Sequence, residues 1–127
     1  MGTLIVTYPA EVDDQGRLEG KFVQLRLEGR DCLLFAAATH YHYHSQIFAR
    51  FLTDEGIAIR IEGDSWRVAD DAGVTVTGGG RFLLDPDSRS LRVWGNSSAY
   101  GPFDAALLAD QLRSAGSPWD SLELTVL

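Results

Sequence analysis

Cysteine is nearly absent: Cys32 is the only one in 127 residues, which excludes an intrachain disulfide and any metal site built on two thiolates. A lone thiol also favours a reducing compartment, so a cytoplasmic location is expected. Basic residues are in deficit, 11 Lys and Arg against 18 Asp and Glu. The resulting formal charge of -7 disfavours phosphate backbones and anionic lipid as partners, so neither nucleic acid nor membrane is expected. Long apolar runs are missing: none approaches the roughly 20 residues that cross a bilayer. Met1 to Tyr8 has neither the basic flank nor the long apolar stretch of a secretion signal, so export is not expected. Gly2 lacks the Ser or Thr of a myristoylation motif, because Val6 stands at that position. The triplet Asn96-Ser97-Ser98 would matter only in a secreted chain. Repeats, low-complexity blocks and linkers are absent as well. One continuous domain over residues 1–127 follows, long enough to bury a core without a staple.

Turn residues divide this domain into short strands and helices. Leu4 to Tyr8 reads as a strand, followed by a polar turn at Asp13-Asp14-Gln15-Gly16. From Lys21 to Leu27 the pattern has period two and places Lys21, Val23, Leu25 and Leu27 on one face, so that Lys21 ends an apolar row. Leu33 to Ala38 is continuously apolar, as a central strand buried on both faces would be. Ile47, Phe48, Phe51 and Leu52 recur at helical spacing from Ser45 onward, with Gly56 placed to cap the C-terminus. Ile57 to Ile61 alternates again, and Gly63 to Gly73 is polar enough for a surface excursion. Val74 to Leu84 reads as a strand interrupted by Gly78-Gly79-Gly80, a triplet that marks a bulge or a close backbone approach. Asp85-Pro86-Asp87 turns the chain into Leu91 to Trp94, its hairpin partner. A second helix starts near Pro102, carries Asp104 in its first turn and stops at Gly116, and Leu122 to Leu127 is a final strand. These elements make an α/β domain, a mixed β-sheet of about six strands flanked by two main helices.

Candidate chemistry starts at Thr39-His40-Tyr41-His42-Tyr43-His44, which holds all three histidines. Extended, the segment would turn His40, His42 and His44 to one face, a possible zinc site that also needs a bend, since residues i and i+4 of a strand stand roughly 13 Å apart. In a second reading His44 stands at a helix start beside the free amides of Ser45, Gln46 and Ile47, a place that favours phosphate. An imidazole there can take up a phosphoryl group or remove a proton from water; an equal reading has His44 and Ser45 simply capping the helix. Gly80-Arg81 offers a planar fork for phosphate oxygens. The loop Gly95-Asn96-Ser97-Ser98-Ala99-Tyr100-Gly101 can turn successive amides inward as an anion nest.

The segments around Lys21, Tyr43-His44, Gly78-Gly79-Gly80-Arg81 and Ser97-Ser98-Ala99-Tyr100-Gly101 together resemble the janus/ocnus family of small phosphohistidine phosphatases. The similarity covers most of the chain and is strongest from Gly78 through the second helix. It implies a mixed sheet with flanking helices and hydrolysis of phosphoramidate bonds with no metal or other cofactor. By the same resemblance His44 is the essential histidine, Lys21 grips phosphate, Arg81 follows the glycines, and Ser97 and Ala99 hold phosphate in the loop. Ser45, Gln46 and Ser98 complete the expected phosphate-binding set, and Tyr43 and Tyr100 support the wall. The implied partners are histidine-phosphorylated proteins or peptides, with phosphate as product and the chain acting as a monomer. Two alternatives stand beside this one: a non-catalytic phosphohistidine-binding module, and a metal-binding protein using His40, His42 and His44.

Overall fold

Alternation along the third strand decides the architecture. In β3 (Arg30–Ala37), Cys32, Leu34 and Ala36 face one way, and Leu33, Phe35 and Ala37 face the other. Both rows are buried, so each face of the sheet needs its own cover. The computed structural model, which describes residues 2–8, 16–38, 41, 43–57, 59–62, 65–68 and 73–127, places one helix on each face. The order is β1 (Leu4–Tyr8), β2 (Leu18–Leu27), β3, α1 (His44–Asp54), β4 (Ile59–Glu62), β5 (Ser65–Val68), β6 (Val74–Asp85), β7 (Ser90–Trp94), α2 (Ala105–Ser114), a 3-10 turn (Trp119–Ser121) and β8 (Glu123–Val126).

Six strands form one mixed sheet in the order β1-β3-β2-β6-β7-β8, parallel at the two outer pairs and antiparallel within. The expected α/β fold, with about six strands and two helices, is the observed one. Val23, Leu25, Cys32 and Leu34 meet Ile47, Phe48, Phe51 and Leu52 of α1. On the opposite face Phe22, Phe35, Phe82 and Val93 meet Leu108 and Leu112 of α2. Each of these large side chains contributes about 1.5–3 kcal/mol by leaving water. The β2–β3 hairpin closes through Glu28 and Gly29, both at positive φ, as a two-residue turn matched to strand twist requires. No helix among the described residues is long and apolar enough to cross a membrane.

Two expectations hold and two need correction. The row Lys21, Val23, Leu25, Leu27 shares a face, as expected; Phe22 and Gln24 on the other face are buried as well. The supposed surface excursion after Gly63 contains β5, which pairs with β4 in a separate two-stranded ribbon; four residues are too few for periodicity to show. The first helix starts at His44, as expected. The second starts at Ala105 instead of Pro102, with Asp104 as its N-cap accepting the Leu107 amide at 3.0 Å. Pro102 remains extended because β7 reaches only as far as the Arg81–Trp94 pair, and the open edge of β6 at Gly79 takes residues 101 and 102 as its partner. The polar turn at Asp13-Asp14-Gln15 lies outside the described residues.

Candidate active site

Strand register brings the first two charges together. Lys21 of β2 pairs with Arg81 of β6, so the two cations are direct cross-strand neighbours on the α1 face of the sheet. Like charges placed so are mutually destabilising unless an anion joins them. The chain holds ten arginines and one lysine, and that lysine is Lys21. Its ammonium lies 5.8 Å from the centre of the Tyr43 ring, within reach of the ring's negative face.

Three glycines make room for the rest. A side chain at Gly78 would strike the Pro102 carbonyl, and one at Gly80 would strike the Trp94 carbonyl and the Phe103 ring. At Gly79 a Cβ would stand 2.5 Å from the Phe22 carbonyl oxygen and 2.8 Å from Cδ2 of His44. The triplet thus marks a close approach, as its sequence suggested, and a bulge follows where Gln24 and Leu25 face Gly78 and Val76.

His44 occupies the first turn of α1, and only 6% of its surface is exposed. Its Nε2 stands 2.9 Å from the Gly80 carbonyl oxygen, which can only accept, so Nε2 carries the proton and donates it. Nδ1 is left with its lone pair. Burial pulls the imidazole below its ordinary titration range; the Gly80 carbonyl opposes that shift, and the positive charge of Lys21 adds to it. The ring is therefore a neutral base at neutral pH. Gln46 serves the helix end itself, its side-chain oxygen accepting the Tyr43 amide at 3.1 Å.

The loop after β7 is folded back on itself. The Ser97 amide donates to the Gly101 carbonyl at 3.0 Å and the Gly101 amide to the Ser97 carbonyl at 2.8 Å. The buried Ser97 hydroxyl oxygen accepts the Tyr100 amide at 3.0 Å. Tyr100 packs edge-on against Phe48 of α1, which ties the loop to the helix, and burial raises its phenol pKa. Ser98 and Ala99 form the exposed tip, and their amides donate to no group among the described residues.

A pocket of about 220 Å³ collects these parts, lined by Lys21, Tyr43, His44, Ser45, Arg81, Asn96, Ser97, Ser98 and Ala99. That is less than the roughly 300–1,000 Å³ of drug-sized sites, so it suits a small group such as a phosphoryl. A larger cavity of about 400 Å³ among Leu84, Pro86, Arg89, Trp119 and Leu122 contains none of these residues. Of the expected site residues, Gln46 alone is not in the pocket, because its side chain is turned to the Tyr43 amide. Asn96 is an addition; its place in a glycine-flanked loop beside Ser97 was the available signal. His40 and His42, on which the metal alternative depends, lie outside the described residues. Among the described residues no group of three or more His, Cys, Asp or Glu is placed to hold a metal ion.

The model of the Janus/Ocnus family (Ocnus) matches residues 8–117 of the chain. No curated protein sequence matches it.

Proposed function

Starting from the chain's membership of the Janus/Ocnus family, we propose that it is a protein phosphohistidine phosphatase, cleaving the P–N bond of phosphohistidine in proteins or peptides with His44 as the reactive group. One observation carries the reading: a buried neutral imidazole shares a small pocket with two cross-strand cations and a loop whose Ser98 and Ala99 amides donate to no group among the described residues. A phosphoryl group carries two negative charges, and Lys21, Arg81 and the Ser98 and Ala99 amides balance them, with no side-chain carboxylate in the lining among the described residues.

Hydrolysis consumes one water. The bond from phosphorus to the substrate imidazole breaks, that nitrogen leaves with a proton, and the phosphoryl group ends on oxygen as inorganic phosphate. His44 takes part by one of two routes. As nucleophile, Nδ1 bonds to phosphorus and water later releases the phosphate; as general base, Nδ1 takes the proton of the attacking water. The Gly80 carbonyl holds the Nε2 proton in either route and fixes the ring's orientation. Phospholysine and small phosphoramidates present the same P–N bond to the pocket. The chain works as a monomer in this reading.

The test is hydrolysis of a phosphohistidine peptide in excess chelator. Wild type turns over, His44→Ala loses at least about a hundredfold in kcat, and Lys21→Ala mainly raises KM. A phosphorylated, acid-labile His44 trapped by rapid quench distinguishes the nucleophilic route. Full activity in His44→Ala overturns the assignment, whereas tight phosphopeptide binding without turnover identifies a recognition module instead.

A further inference from the structure

Gln24 is a polar side chain with no exposure at all, in the middle of β2 on the α2 face. Its hydrogen bonds run to α2 and to the residue that caps it. The side-chain oxygen accepts the Asp104 amide at 2.7 Å, and the side-chain nitrogen donates to the Asp104 carbonyl at 3.1 Å and to Oε1 of Gln111 at 2.8 Å. A side-chain amide that grips both backbone groups of one residue fixes that residue's position and orientation as a strand neighbour would.

Asp104 stands three residues after Gly101, where the phosphate loop closes. The segment between them is held to β6 at the glycine triplet. The Gly79 amide donates to the Gly101 carbonyl at 3.2 Å, Pro102 bridges Gly79, and the Pro102 carbonyl fills the space that a Gly78 side chain would occupy. Gln24 is the register partner of Gly78. It therefore reaches past the bare glycine to the same stretch of chain from the other side. One end of the stretch leads to the Ser98 and Ala99 amides, the other is clamped by Gln24, and Gly79 between them abuts His44.

We propose that Gln24 is a positioning residue of the phosphate pocket, setting the placement of the Ser97–Gly101 loop relative to His44 through the backbone of residues 101–104. The inference rests on the phosphate-binding reading of the pocket. Gln24 lies on the opposite face of the sheet from that pocket and hydrogen-bonds to Asp104 and Gln111, neither of which lines it, so its effect runs through the loop. It leaves the His44–Gly80 hydrogen bond and the Lys21–Arg81 pairing in place.

The experiment is titration of the folded protein with inorganic phosphate, followed by NMR at the Ser98 and Ala99 amides and the His44 ring. Gln24→Met retains length and volume while deleting the three hydrogen bonds. Its phosphate Kd is expected to rise about tenfold, the scale of loss for a slightly misplaced binding group. The titration midpoint of His44 in the phosphate-free variant should match wild type. Leu108→Ala, which weakens the same helix on the same buried face while keeping the backbone bond from residue 108 to the Asp104 carbonyl, serves as the stability control, and its phosphate Kd should stay within about twofold of wild type. Gln24→Glu, which retains the acceptor for the Asp104 amide, carries the test if the methionine variant does not fold, with the same direction expected. Wild-type affinity in the Gln24 variant, an equal loss in Leu108→Ala, or a shifted His44 midpoint each overturns the positioning role. Failure of wild type itself to bind phosphate overturns the pocket reading, and the positioning role with it, which separates the two failures.

Discussion

At the scale of single residues the site depends on the burial of His44. Its folded-state pKa lies below the ordinary value of 6.5. Activity that needs the free Nδ1 lone pair should therefore be constant through neutral pH and fall only on the acid side of 6.5. Stability follows the same sign. The unfolded chain takes up a proton at His44 before the folded one does, so this part of stability is complete above 6.5 and declines as pH falls toward the lowered value. Thermal melts across that window should show the decline in wild type and lack this component in His44→Ala. Ring titration by NMR should move upward in Lys21→Met, which removes a neighbouring positive charge, and upward again when phosphate binds. Gly79→Ala should cost about 1–3 kcal/mol in denaturant melts and nearly abolish turnover, because the Phe22 carbonyl and the His44 ring must both shift. The identities of Lys21, His44 and Arg81 were legible in the sequence. The protonated nitrogen of His44 was not, because the carbonyl that fixes it arrives from a strand 36 positions away.

At the scale of elements, apolar periodicity located both helices and most of the strands, since each buries a stripe long enough to repeat. It misled at ends, where the deciding contact is distant. Proline at position 102 resembles a helix start, yet that residue belongs to the edge of β6, and Gln24 holds Asp104 as the true cap. Gln46 looked like an anion ligand by its backbone amide at the helix mouth, yet that amide donates to the Tyr43 carbonyl at 3.1 Å and its side chain accepts the Tyr43 amide. β5 was hidden because a four-residue strand in a two-stranded ribbon carries no readable alternation. The cap offers a clean separation of stability from binding. Asp104→Ala removes the acceptor for the Leu107 amide and should lower unfolding free energy by about 1 kcal/mol in a urea melt. The backbone bonds from Asp104 to Gln24 survive this change, so phosphate affinity in the same protein should stay within about twofold of wild type.

At the scale of the whole molecule, one sheet separates two cores, and the site occupies the face of the sheet that α1 covers. The fold class was legible because the continuous apolar run of β3 already demands cover on both sides. The meeting of Lys21 with Arg81 was legible only as chemistry in need of a partner; the register that joins them depends on two hairpins and a bulge spread over the sheet. That meeting has a practical consequence for anyone handling the protein. Two positive neighbours locked side by side cost the fold part of its own cohesion, and an oxyanion of the solvent can return it. Heat tolerance should climb with phosphate or sulfate concentration by the ordinary rule of mass action. Arg81→Gln should melt no lower than wild type in chloride yet respond much less to either oxyanion. An equal rise in both proteins would mean that the salts act on the surface at large and that the paired cations are ordinary neighbours.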